Sequence, residues 1–151
     1  MLFDKKLARF HIRADSAELA IHAGAQLLLE AGDVKTEFEQ HVLKREKQFP
    51  TGLDTQPVGV AIPHTSSDYV NNSQIAFVSL EKPVEFHFMA DTKRIIRVGM
   101  VFLLAMSKDH EHVDTLSTIM ELFASEKTIS ELYACSSSTD LTELFLRHNI
   151  S

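Results

Sequence analysis

The chain reads as an α/β protein, a three-layer α/β/α sandwich with a single mixed sheet and helices on both faces. Two observations carry that expectation. The run Arg97 to Met106 is apolar on both alternating faces, so it reads as a central strand that needs cover above and below. Helical patterns with explicit start and stop signals occur before and after that run, at about 16–31, 37–48 and beyond residue 107, and they supply the cover. With 151 residues and 44% hydrophobic content the chain can bury roughly 70% of its unfolded surface, which suits one domain over residues 1–151 and leaves no room for a second.

Taken in order, Leu7 to Ile12 alternates weakly and suits an edge strand. Asp15 with Glu18 forms a capping-box-like pair, and the stripe Ala17, Ala20, Ile21, Gly24, Leu28 runs to a stop at Gly32, giving a helix of about 16–31. Thr36 with Glu39 repeats the pattern; Phe38, Val42 and Phe49 fall on one face before Pro50, giving a helix of about 37–48. Val58 to Ile62 and Ile75 to Leu80 are too apolar and too short for anything but buried strands. Lys82-Pro83 suggests a turn, with Val84 to Phe86 as a short additional strand. Asp109 or Ser107 can cap a third helix with an inward stripe of Val113, Leu116, Met120 and Phe123. Weaker helical patterns follow at Lys127 to Ala134 and Asp140 to Arg147, with Ser136 to Ser138 as a loop between them. No internal repeat or linker interrupts the chain.

Composition excludes several function classes. A net charge of −6 without a basic stripe argues against nucleic acid as a partner. The longest apolar stretch, Val98 to Met106, is about half the ~20 residues that cross a bilayer, so no membrane insertion is expected. The start, Met1 to Arg13, has no signal-peptide core. A single cysteine rules out an internal disulfide framework and suits a reducing cytoplasm.

Three residues draw attention for their chemistry. His64 follows Pro63 at the end of the Val58 to Ile62 run, and α/β folds place ligands at strand ends. Arg45 falls within about 20° of the axis of the Phe38, Val42, Phe49 stripe, so it is expected to face inward, where a guanidinium needs an anion. His112 lies about 40° from the centre of the Leu116, Met120, Phe123 stripe, in the first turn of a helix whose N-terminus favours anions. Each has an ordinary alternative: His64 finishing a loop, Arg45 paired with Glu46 or Asp54, His112 bonded to a backbone carbonyl. If the two strand ends are neighbours, two imidazoles, a guanidinium and a helix dipole surround a volume suited to a phosphoryl group. Thr65 and Ser66 can add hydroxyl donors.

The segments Arg45-Glu46, Pro50-Thr51-Gly52-Leu53, Gly59-Val60-Ala61-Ile62-Pro63-His64 and Asp109 to Leu116 together resemble the enzyme IIA domains of the bacterial phosphoenolpyruvate-dependent sugar phosphotransferase system, fructose-mannitol superfamily. The likeness covers about residues 15–148. Leu53 to Pro57 lengthens the connection ahead of the Pro-His strand relative to many members, and that form looks like the galactitol-specific branch.

The resemblance implies a phosphocarrier. His64 would accept a phosphoryl group from the phosphorylated histidine-containing carrier protein and pass it to the IIB component of a sugar permease with its membrane IIC. Arg45 matches the family's arginine beside the phosphorylation site, and His112 its second histidine. No metal, nucleotide or other cofactor is implied. A regulatory module of the nitrogen-related branch is the alternative. Phe86, Phe88 and Met89 are candidates for a docking rim or for sheet-edge packing, and Cys135 reads as packing.

Overall fold

The computed structural model describes residues 2–108 and 112–151, with side chains for 2–108 and 116–151. Five strands form one mixed sheet: β1 (Ala8–Ile12), β2 (Gly52–Leu53), β3 (Gly59–Ala61), β4 (Gln74–His87) and β5 (Ile95–Ala105), in the order β1-β4-β5-β3-β2. β1 runs parallel to β4 and β3 parallel to β5, whereas β4 with β5 and β2 with β3 are antiparallel. β5 is the middle strand, buried from Val98 to Ala105, because its two apolar faces meet two separate cores.

One core lies under α1 (Ala17–Glu30) and α2 (Phe38–Gln48), where Ile21, Leu28, Phe38 and Val42 meet Val78, Val101 and Leu103. The other lies under α3 (His112–Leu122), α4 (Glu126–Ala134) and α5 (Ser138–Arg147), where Ile119, Leu132 and Phe145 meet Phe77, Met100 and Phe102. The three-layer sandwich expected from the sequence is the observed architecture.

Local details differ from expectation for identifiable reasons. Ser16, not Asp15, caps α1, its hydroxyl accepting from the Leu19 N–H at 3.2 Å. α2 has no side-chain cap, since the Thr36 hydroxyl donates to the Glu37 carboxylate instead. The expected break at Lys82-Pro83 is absent: β4 continues to His87, with a register shift between Ser79 and Val84. β1 pairs with β4 only as far as Leu80, so Pro83 lies where the ladder is irregular and the outer side of β4 has no strand neighbour; a missing N–H costs little there. Among the described residues of α3, Ile119 and Leu122 are buried and Met120 is exposed, and Phe123 just after the helix is buried too, so the apolar face follows Leu116, Ile119 and Phe123. Asp109, proposed as a cap, lies outside the described residues.

Gly59 shows why β3 can sit where it does. A Cβ there would stand 2.5 Å from the Arg97 carbonyl oxygen and 3.1 Å from that of Leu53, so only glycine lets β3 lie between β2 and β5. That placement fixes the start of the strand that leads to His64.

Candidate functional site

β3 and β5 are parallel neighbours, so the chain leaving β3 at Ala61 and the chain leaving β5 at Ala105 emerge at the same edge of the sheet. The strand pairing extends past β3, because the Leu104 N–H donates to the Pro63 carbonyl at 3.0 Å. Pro63 thus lacks only its own donor, and its buried ring holds the next residue at the rim. His64 is half-buried there, and its Nδ1 lies 2.8 Å from the Ile62 carbonyl oxygen. A carbonyl oxygen only accepts, so Nδ1 carries a proton, and in the neutral imidazole Nε2 then keeps its lone pair. The loop-finishing bond expected of an ordinary histidine is present, and it leaves the other nitrogen nucleophilic.

His64 lines a cleft of about 390 Å³ together with Thr65, Ser66, the α2 residues His41, Lys44, Arg45 and Gln48, and Phe49 just after α2. The Ser66 oxygen accepts from the Asp68 N–H at 3.2 Å and starts a 3-10 turn over Ser67–Tyr69, which leaves its own O–H as a donor. No carboxylate is among these lining residues, although the chain as a whole is acidic.

Arg45 joins this cleft but does not enter the core. It is exposed, and its guanidinium carbon sits 5.4 Å from the centre of the Phe49 ring. The reason is its place on α2: Phe38 and Val42 define the buried face, and Arg45 lies at its border with a polar stripe. Phe49, expected on the buried face, follows the last helical residue with φ −132° and ψ 79° and is 61% exposed, so helical phase no longer applies to it. Among the described residues no carboxylate pairs with Arg45. The two alternatives are engaged elsewhere: Glu46 accepts from the Thr51 N–H at 2.8 Å and hydroxyl at 2.7 Å, and Asp54 pairs with Arg94. Burial pushes the Glu46 carboxyl above the usual range, against the opposing pull of its bonds from Thr51.

His112 opens α3, which follows β5 and so starts at the cleft's edge of the sheet, but its side chain lies outside the described residues. His41, Lys44 and Gln48 were missed by sequence reasoning. The signal was available: His41, Lys44, Arg45 and Gln48 recur at i, i+3, i+4 and i+7, one continuous polar face of α2.

Other candidates lie elsewhere. Phe86 is buried, Phe88 stacks under Arg94 at 5.0 Å, and all of Phe86, Phe88 and Met89 sit at the far end of β4 from His64. They form no rim around the cleft. Cys135 is buried, its thiol donating to the Glu131 carbonyl at 3.3 Å. A larger groove of about 700 Å³ lies between α1, α2 and the second half of β4, lined by charges of both signs that include Arg13, Lys47, Lys82, Glu18, Glu81 and Glu85. It contains no residue of the His64 loop. Among the described residues no helix is long and apolar enough to cross a membrane.

Comparison with known proteins gives this geometry its context. Residues 1–148 match the family described as phosphoenolpyruvate-dependent sugar phosphotransferase system, EIIA 2. The chain is 26% identical over 149 residues to the ascorbate-specific PTS system EIIA component of Escherichia coli K12, covering 98% of this chain and 94% of that protein. The crystal structure of IIA mannitol from Escherichia coli superposes with a TM-score of 0.76 at 24% identity, covering 95% of this chain and 99% of that one. The complex of enzyme IIAMTL with phosphorylated enzyme IIBMTL from Escherichia coli contains a chain that superposes with a TM-score of 0.77 at 23% identity, covering 94% of this chain and 95% of that one.

Proposed function

The chain belongs to the EIIA type 2 family of the phosphoenolpyruvate-dependent sugar phosphotransferase system, and from that premise we propose that residues 1–151 form one phosphocarrier domain with His64 as phosphoryl acceptor. The observation that carries this reading is the 2.8 Å bond between His64 Nδ1 and the Ile62 carbonyl, which in the neutral ring leaves the Nε2 lone pair for attack, beside a cleft lined by Lys44 and Arg45.

In the proposed reaction the Nε2 lone pair attacks the phosphorus of the phosphorylated histidine-containing carrier protein. A new N–P bond forms as the donor's P–N bond breaks, and the donor imidazole leaves with the electron pair. The His64 ring then bears positive charge, which the Nδ1–H bond to Ile62 offsets. Arg45 approaches the equatorial oxygens, and the Thr65 and Ser66 hydroxyls donate to them. His112, the first residue of α3, serves as the second histidine of the site. A nucleophile of a sugar-specific IIB component, working with a membrane IIC permease, reverses these steps. The reaction is a phosphotransfer in the cytoplasm.

For the sugar we propose galactitol or a related polyol, because Leu53 to Pro57 lengthens the connection between β2 and β3 in the manner of that branch. The relatives compared above carry ascorbate and mannitol in their names, so the test must span all three. Labelled phosphoenolpyruvate, enzyme I and the histidine carrier protein should phosphorylate the chain at His64, and the label should pass fastest to a galactitol IIB. Transfer to ascorbate or mannitol IIB instead would reassign the sugar. Labelling without transfer to any IIB would favour the regulatory module. Full labelling of His64→Ala would end the phosphocarrier reading.

A further inference from the structure

His41 has no role in the reaction set out above, yet it lines the same cleft as His64 and Arg45. Its ring lies parallel to that of Tyr69, with centroids 4.0 Å apart and planes 13° from each other. Tyr69 is itself tied down, its carbonyl accepting from the Lys35 N–H at 2.9 Å and its N–H donating to Ser66 at 3.3 Å. The imidazole plane is therefore held by a fixed neighbour on the loop that follows His64. Among the described residues no hydrogen bond to either His41 ring nitrogen occurs, so its polar edge is uncommitted.

We propose that His41 is a further phosphoryl-facing residue of the site, donating a ring N–H in its protonated form to a phosphoryl oxygen carried on His64. The proposal rests on His64 being the acceptor. The groups around His41 make its protonation responsive to that oxygen. On α2 stand Lys44 and Arg45, which oppose a third positive charge, and Glu37 one turn earlier, whose carboxyl is held low by Thr36 first and by His41 in lesser degree. From the loop come His64 and Tyr69, with the nearby Asp68 paired to Lys108 at 3.4 Å. Apart from the His64 ring, none of these changes charge when His64 is phosphorylated. The phosphoryl group brings about two negative charges to the cleft, and an anion within about 4–6 Å favours the charged imidazole.

The test is a ring-resonance titration by NMR of the full chain, with the His41 signal assigned by its loss in His41→Gln. After phosphorylation through enzyme I and the carrier protein, verified by a phosphohistidine phosphorus signal, the midpoint of the His41 titration should rise by about one pH unit. An unchanged midpoint overturns the proposal while leaving the phosphocarrier reading intact. If no phosphorus signal forms, that reading falls, and the same His41 resonance is followed against inorganic phosphate. A saturable shift then supports an anion-facing His41, and no shift overturns it. Kinetics separate a chemical role from a structural one: His41→Gln should slow transfer about tenfold at pH 6 and about twofold or less at pH 8. Equal loss at both pH values means that His41 only shapes the cleft, and the proposal fails.

Discussion

The Nδ1 atom of His64 is hydrogen-bonded to the carbonyl oxygen of Ile62, two residues earlier, at 2.8 Å. Ile62 continues β3, whose register is held by β5, so the nucleophile's orientation derives from the central strand of the sheet.

The first prediction follows from this bond. Phosphorylation should place the phosphoryl group on Nε2, giving an acid-labile, base-stable phosphohistidine whose nitrogen shifts identify the substituted atom. His64→Ala should incorporate no label, with the fold preserved by circular dichroism, because the half-buried ring contributes little to either core. Label on Nδ1 would contradict the tautomer inferred from the Ile62 contact.

Arg45 gives a prediction that separates stability from rate. It is exposed and touches only the Phe49 face among the described aromatic contacts, so Arg45→Ala should change unfolding free energy by no more than about 0.5 kcal/mol. Losing a charge-assisted bond to the phosphoryl group should slow transfer by roughly tenfold to a hundredfold, about 1.5–3 kcal/mol. Denaturant unfolding and rapid-quench transfer measure the two separately.

Glu46 holds the connection from α2 to β2 through its two bonds from Thr51, a residue only 3% exposed. Glu46→Ala should cost about 2 kcal/mol by leaving the Thr51 N–H without its partner. The pH dependence has a definite sign. Burial raises the Glu46 carboxyl above its ordinary value of 4.5, so the folded chain holds the proton more tightly than the unfolded one. Its contribution to stability is complete below about pH 4.5 and declines as pH rises through the folded value. Glu46→Gln removes that titration. The stability of the native protein minus that of Glu46→Gln should therefore fall across this window and then level off, as read from urea midpoints at a series of pH values.

Gly59→Ala should destabilise the protein by about 3 kcal/mol, since the added Cβ meets two backbone oxygens that no side-chain rotation can move aside. Urea unfolding measures the loss. Phosphoryl acceptance should fall with it, because displacing β3 displaces the His64 loop.

Much of this molecule was legible in its sequence because the signals are local. α1, α2, α4 and α5 begin and end within a few residues of their caps and breakers, and the doubly apolar β5 announces its own two covers. Less was legible where geometry depends on distant partners. β2 is two residues long and exists because Gly52 and Leu53 pair with Ala61 and Val60, which no local pattern reveals. β4 runs through Pro83 because its neighbour β1 ends its pairing at Leu80.

By itself the sequence determined the sandwich, His64 at a strand end, and α2 as the carrier of Arg45, since hydrophobic period and chain punctuation are properties of contiguous residues. Only the tertiary structure decided that β3 and β5 are parallel neighbours and that Arg45 is an exposed cleft residue rather than a core one. It also brought His41 to Tyr69 and to the His64 cleft. Helical phase tells which residues share a face. What that face meets depends on how the packed layers fit together.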